Sequence, residues 1–369
     1  MTSELSSFAA RTRESIRCGF QTENFGALAL DLFALQFRHN VAYQKICEAR
    51  GLTPEVVEHW TQIPAVPAAA FKHLELTSLA PDERSAVFHS SGTAGQKPSR
   101  HFHSAESLAV YEASLWKWFQ QNIFANSELL VLTPPPEQVP HSSLVYMFDA
   151  ARRKMGGASV PASRAEFLGT LAADGSWRLD FNATLAVLGD NSKSKIQNPK
   201  LLLGTAFSFV HLLVHLAERA LRVELPAGSR VMETGGYKNR SRAMPKAELH
   251  AFITERLGVA HENIICEYGM SELSSQAYDS EIQNSELKIH NSERRFRFPP
   301  WARVQIISPE TGRDVGEGET GLIRIFDLAN IFSVAAIQTE DLAIPNGDGF
   351  ELIGRAQPAE PRGCSLMTE

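Results

Sequence analysis

Three short segments of this chain concentrate the residue types that handle phosphate and carboxylate groups. The first is Ser90-Ser91-Gly92-Thr93-Ala94-Gly95-Gln96-Lys97-Pro98-Ser99, which combines hydroxyls, small residues and one cation. Glycines let a backbone turn its N–H groups toward an anion, and hydroxyls donate to phosphate oxygens. It is not a Walker loop, because no Gly-Lys-Ser/Thr follows at the required spacing. The second, Tyr268-Gly269-Met270-Ser271-Glu272, supplies an aromatic face, a hydroxyl and a carboxylate within one loop. The third, Gln338-Thr339-Glu340-Asp341-Leu342 followed by Gly354-Arg355, offers a carboxylate and a cation. A glycine pair, Gly235-Gly236, follows Thr234 and precedes Lys238 and Arg240. Charge developing on a reacting phosphate has to be met by donors and cations of these kinds.

The elements that must position these segments are partly legible. Phe25, Leu28, Leu32, Leu35 and Phe37 make a broad apolar face, so the first seventy or so residues read as helical. Ile63-Pro64-Ala65-Val66-Pro67 then stops the helices, since proline removes a donor and pushes its predecessor to extended geometry. Ala86-Val87-Phe88 reads as a strand running into the glycine segment, and a helix is predicted over about 104–121 with Ser104 as its N-cap. Leu129–Leu132, Leu201–Leu203, Val231–Glu233 and Ile264–Cys266 are short apolar strands that each empty into a polar loop. With helices between them, they predict an α/β sheet whose loops gather along one edge. Val304–Ile307 and Gly321–Ile325 predict a β-rich portion near the end.

Composition narrows the class. The chain has 369 residues, 43% hydrophobic and 21% charged, as in an ordinary globular protein. A net charge of -6 argues against a nucleic-acid partner. The first residues lack an apolar core of signal-peptide length, and the apolar segment Leu201–Leu221 is interrupted by Ser208, His211, His215 and Glu218, so neither a secretion signal nor a membrane span is expected. Cys18, Cys47, Cys266 and Cys364 are scattered without metal-ligand or disulfide spacing, which fits reduced thiols in a cytoplasmic protein. His211 and His215 lie one helical turn apart, but no accompanying acid supports a metal pair.

In their order and separation the three segments resemble the core motifs of the adenylate-forming superfamily of acyl-CoA ligases. The likeness is strongest to the bacterial acyl-protein synthetases, related to phenylacetate–CoA ligases, which include the acid-activating component of the fatty-acid reductase of luminous bacteria. It extends through Ile63-Pro64 to Phe71-Lys72, Ser142–Met147, Leu203–Phe207, Gly235–Lys238 and Arg362-Gly363-Cys364-Ser365-Leu366. The resemblance implies an α/β adenylation domain over 1–350, helical at about 1–75 and β-rich at about 300–350, with a vestigial hinge and tail at 351–369 in place of a mobile lid. It also implies ATP and Mg²⁺ as cofactors and a carboxylic acid as substrate.

By the same likeness Ser90, Ser91, Gly92, Thr93 and Gly95 would hold the β- and γ-phosphates, and Glu272 would ligate Mg²⁺. Ser271 would face the α-phosphate, Tyr268 with Gly269, Gly235 and Gly236 would border the adenine, and Asp341 with Arg355 would hold the ribose side. Gly204, Phe207 and Phe209, in an apolar stretch that reads either as tunnel wall or as core, are the candidates for the acyl pocket. The lid lysine of full-length relatives has no counterpart, so Lys238 and Arg240, with Lys97 third, become the replacement cations. Cys364 matches the acyl-accepting cysteine, and a downstream reductase or acyltransferase would collect the thioester. The rival readings are a ligase that uses coenzyme A or a carrier protein as external thiol, and an inactive nucleotide-binding subunit.

Overall fold

Helices open the chain in the computed structural model, which describes residues 3–90, 97–124, 127–156, 165–189, 198–235, 244–279 and 294–356. They are α1 (Ser3–Cys18), α2 (Phe25–His39) and α3 (Val41–Ala49). Phe25, Ala29, Leu32, Phe33 and Gln36 of α2 recur at three- and four-residue steps and are buried. Asn40 starts α3 by accepting the Tyr43 N–H through its side chain. The proline run then carries the chain into β1 (Val66–Pro67), and β2 (Ala86–His89) pairs antiparallel with β3 (Arg100–His103). The glycine segment joins these two strands. Helix α4 (Ala105–Asn122) begins where Ser104 Oγ accepts the Ser107 N–H, so the sequence-predicted cap stands.

The middle of the chain alternates strand and helix. It runs β4 (Glu128–Val131), α5 (Ser143–Gly156), β5 (Ala165–Phe167), the hairpin β6 (Gly169–Leu171) and β7 (Trp177–Leu179), and α6 (Phe181–Gly189). Then follow β8 (Lys200–Thr205), α7 (Ala206–Glu218), β9 (Arg230–Thr234), α8 (Lys246–Leu257), β10 (Ile264–Tyr268) and β11 (Ala277–Tyr278). The apolar segment that begins at Leu201 thus divides into a strand and a helix. Six of these strands form one sheet in the order β11-β10-β9-β8-β4-β5, parallel except for β11.

Unbroken apolar strands are explained by burial on both faces. Leu129, Val131, Leu201, Leu203, Met232 and Ile265 belong to one core, which includes Phe119 of α4 and Phe148 of α5. Their neighbours Leu130, Leu202, Val231 and Ile264 belong to the other, with Phe209 and Leu213 of α7 and Ile253 of α8. Strand order reverses at β4, which has β5 on one side and β8 on the other. In such sheets ligands bind beyond the carboxyl ends of the strands. Register brings those ends level, Thr205 against Thr234 and Thr234 against Glu267.

The remaining strands, β12 (Ala302–Ile307), β13 (Gly321–Asp327), β14 (Ala336–Asn346) and β15 (Gly349–Arg355), build a second sheet of five with β1. β1 runs parallel to β14 through Val66–Ile337 and Pro67–Gln338, while β15 pairs further along β14. The N-terminal helices hold the segment that enters β14: Gln36 Nε2 donates to the carbonyls of Asn330 (2.9 Å) and Ile331 (3.0 Å), and Asn40 Nδ2 to that of Ser333 (3.2 Å). Among the described residues no helix is long and apolar enough to cross a membrane.

Candidate active site

The loop that leaves β10 is the centre of the site. Between Tyr268 and Ala277 the chain belongs to no helix or strand, yet Ser271 to Gln276 are all buried. A buried loop without ladder partners must satisfy its polar backbone through side chains. It does so on two sides.

On one side stands the exit of the glycine segment. The Ser99 N–H donates to Ser90 Oγ at 3.0 Å, joining the two ends of that segment. Ser99 Oγ lies 3.4 Å from Ser271 Oγ, and Ser271 Oγ donates to Glu272 Oε2 at 3.1 Å. Two residues past Ser99, His101 Nδ1 lies 2.8 Å from the Ser271 carbonyl oxygen. Asn330 Nδ2 donates to the next carbonyl, that of Glu272, at 2.9 Å. Glu272 is 4% exposed, and among the described residues it has no ion pair.

On the other side stands the second sheet. Tyr268 OH donates to Asp341 Oδ2 at 2.9 Å. Burial, reinforced by the Asp341 carboxylate, pushes the Tyr268 phenol well above its ordinary range, so it remains a donor. Its ring packs edge-on against Phe296, Phe298 and Phe350. Asp341 faces Arg355 across β14 and β15, with Arg355 Nε 3.8 Å from Asp341 Oδ1 and its other arm near Glu340. Both members of that pair retain solvent contact, which leaves them open to a ligand.

Below the loop, Glu267 is fully enclosed. Burial pushes its carboxyl up to about 7, the Thr234 hydroxyl bound to it pulls the other way, and nearby Glu233 adds to the rise. Thr234 is followed by Gly235, exposed and at φ +92°, where a side chain would be strained.

The structure therefore brings Ser90, Ser271, Glu272, Tyr268, Gly269, Asp341 and Arg355 around one loop at the carboxyl end of β10. It puts the acyl-side residues in different places. Gly204 and Phe209 meet within the core behind the sheet, where Phe209 is wholly buried. Phe207 is 38% exposed at the start of α7, its ring 4.2 Å from that of His211. Lys97 is exposed. Ser91, Gly92, Thr93, Gly95, Gly236, Lys238, Arg240 and Cys364 lie outside the described residues. No group of three or more His, Cys, Asp or Glu able to hold a metal occurs among the described residues. A cleft of about 260 Å³ lined by Arg50, Ile63, Pro64, Arg324 and Gln338 takes in none of the site residues.

Sequence reasoning did not single out His101, Asn330 or Glu267. Glu267 could have been suspected from its place in an otherwise apolar strand; His101 and Asn330 carry no local signal.

A parallel sheet with reversed strand order, a glycine segment and an aromatic-Gly-x-Ser-Glu loop at its carboxyl edge, and a trailing mixed sheet define the adenylate-forming fold. A 2-hydroxyisobutyryl-CoA ligase solved with 2-HIB-AMP and CoA shares it at a TM-score of 0.63 and 13% identity, covering 95% of this chain and 68% of that one. The chain spans 49% of an ATP-bound RpMatB-BxBclM chimera at a TM-score of 0.47. Within this fold the chain belongs to the acyl-protein synthetase family, LuxE, whose family pattern it matches over residues 19–369. It is thus an ATP-dependent acid–thiol ligase. A long-chain-fatty-acid–luciferin-component ligase of Aliivibrio fischeri is 24% identical over 94% of this chain and 88% of its own length.

Proposed function

We propose that the chain activates a fatty acid with ATP and carries the acyl group on its own Cys364. The observation that supports this reading is the two-sided loop: Ser99, Ser271 and Glu272 stand toward the glycine segment, and Tyr268, Asp341 and Arg355 on the other flank. A nucleotide laid across it would have phosphates at one end and ribose at the other. The fatty-acid class rests on the name of the Aliivibrio fischeri relative.

In the first half-reaction a carboxylate oxygen attacks the α-phosphorus, and pyrophosphate leaves to give acyl-adenylate. Ser90, Ser91 and Thr93, with the backbone at Gly92 and Gly95, hold the β- and γ-phosphates. Ser271 Oγ donates to the α-phosphate, and Asp341, with Arg355 beside it, accepts from the ribose hydroxyls. Tyr268, with Gly235 and Gly236, borders the adenine. Glu272 suits Mg²⁺, since a buried carboxylate with no ion pair among the described residues offers the hard oxygen that this cation takes together with phosphates. When bound, Mg²⁺ neutralises charge on the leaving pyrophosphate. Lys238 and Arg240 are the cations assigned to the α-phosphate. The acyl chain is assigned to the surface at Phe207, the exposed start of α7.

In the second half-reaction the Cys364 thiolate attacks the acyl carbon and AMP leaves. Roughly ten residues separate Arg355 from Cys364, and such a segment spans at most ~35 Å, ample for a return to the loop. A reductase or acyltransferase partner then takes the thioester.

Intact-mass measurement after incubation with ATP, Mg²⁺ and a panel of fatty and aromatic acids tests the proposal. The expected result is a gain of one acyl group, lost on hydroxylamine treatment and absent in Cys364→Ser. An adduct that persists in Cys364→Ser would refute the acceptor. AMP release that needs coenzyme A, without any adduct, would make the acceptor an external thiol.

A further inference from the structure

The loop from Tyr268 to Ala277 owes its shape to side chains reaching in from elsewhere, and two of these act on consecutive carbonyls. His101 of β3 takes the Ser271 carbonyl at 2.8 Å, and Asn330 takes that of Glu272 at 2.9 Å. His101 is 2% exposed. Burial pushes its imidazole down to about 4, against the pull of its contacts with Ser271 and Asn330, so the ring is neutral at physiological pH. A neutral imidazole carries one proton, and a carbonyl oxygen can only accept. The proton therefore resides on Nδ1.

We propose that His101 is a positioning residue for acid activation: its Nδ1–H fixes the Ser271 carbonyl, and through it sets the Ser271 hydroxyl and the Glu272 carboxylate opposite the exit of the glycine segment. The proposal rests on the adenylation reading above. Its physical content is a rigid coupling. Ser99 and His101 lie on one short stretch of chain, and both grip Ser271, one at its hydroxyl and one at its carbonyl. The groups assigned to the phosphates and those assigned to the α-phosphate and Mg²⁺ are thereby held in one frame rather than on two independent loops. Without the Nδ1 donor a buried carbonyl loses its partner and the loop turns to find another, taking Ser271 and Glu272 with it.

His103, two residues further along β3, supplies the internal control. It is as deeply buried, and its ring centroid lies 4.2 Å from that of His101. Its Nδ1 meets Ser107 Oγ of α4 at 3.2 Å, and it makes no hydrogen bond to the loop.

The experiment compares His101→Asn with His101→Gln in acid-dependent ATP–pyrophosphate exchange, using full-length protein and a fatty acid that the wild type activates. The asparagine amide nitrogen is as many bonds from Cα as Nδ1 is, whereas the glutamine nitrogen stands where Nε2 was. The expected kcat of exchange for His101→Asn is within about threefold of wild type. For His101→Gln it falls about 10- to 100-fold, the scale of a misplaced reacting group, with KM for the acid within about twofold. His103→Gln, corrected for folded fraction, keeps the wild-type rate. Equal rates for the Asn and Gln variants at position 101 would overturn the proposal, as would an equal loss in His103→Gln, which would reduce the effect to packing of the hairpin. Should His101→Gln fail to fold, His101→Asn alone decides: folded but as impaired as a catalytic knockout, it removes the Nδ1 role. Wild-type protein without exchange for any acid would instead bring down the adenylation reading, and this proposal with it.

Discussion

Replacing Glu267 with glutamine keeps the shape of the side chain and its ability to accept from the Thr234 hydroxyl, and removes only the ionisation. The carboxyl is enclosed in the sheet and titrates near 7 rather than at its ordinary 4.5. In the unfolded chain it ionises at the ordinary value. Between those two pH values the folded state therefore holds a proton that the unfolded state has released. Stability falls with rising pH wherever the native state binds more protons, so this group weakens the fold progressively from about pH 4.5 to about pH 7. At 1.36 kcal/mol per pH unit the whole effect is about 3 kcal/mol. Buried His101 and His103 act in the opposite sense: burial lowers both, so their contribution to stability grows as pH rises to their unfolded values. Wild-type stability on its own would mix these effects, and the comparison with Glu267→Gln separates them. Urea denaturation at pH 5, 6, 7 and 8 should show the variant gaining on the wild type by about 2.5 kcal/mol over that range, with the gain levelling off above pH 7. A difference between the two proteins that stays flat with pH would mean that Glu267 ionises normally in the fold, and the account of its burial would be wrong.

Two further outcomes follow from contacts at the site and behind it. Tyr268→Phe removes the donor to Asp341 while keeping the ring against Phe296 and Phe350; KM for ATP in pyrophosphate exchange should rise about 3- to 10-fold, the net worth of one hydrogen bond, and an unchanged KM would separate Asp341 from nucleotide binding. Gly204→Ala would bring a methyl group to 2.7 Å from Ser208 Oγ and 3.1 Å from Leu132 and Phe209, so the urea midpoint should fall by the equivalent of about 1–3 kcal/mol; a midpoint equal to wild type would show that α7 can shift at no cost.

The sheet was legible because its strands are buried on both faces and so are written as unbroken apolar runs; Leu201–Leu203 needs no partner to be recognised. The loop from Tyr268 to Glu272 and the pair Asp341 and Arg355 were legible as chemistry, through residue types and order. What joins them was not. The Tyr268 bond to Asp341 spans 73 positions and the His101 contact with Ser271 spans 170, and nothing local in either residue announces its partner. The hairpin of β14 and β15 escaped notice because Glu340, Asp341, Pro345 and Asp348 interrupt the alternation that marks a strand. Phe209 shows the reverse limit: an aromatic on an apolar helix reads alike whether it lines a pocket or fills a core, and here the core around Leu132 takes it.

The grip of α2 on the segment leading into β14 links positions 294 apart, and β1 zips onto the same strand from the first fifth of the chain. Contacts of such long range cannot form until both of their halves have been made. Asp341 and Arg355 follow every strand of the parallel sheet in sequence, so a nascent chain can hold that sheet before the site proposed for the nucleotide is complete. Contact order of this kind slows folding. The site proposed for acid activation is thus completed only when the second sheet closes on β14.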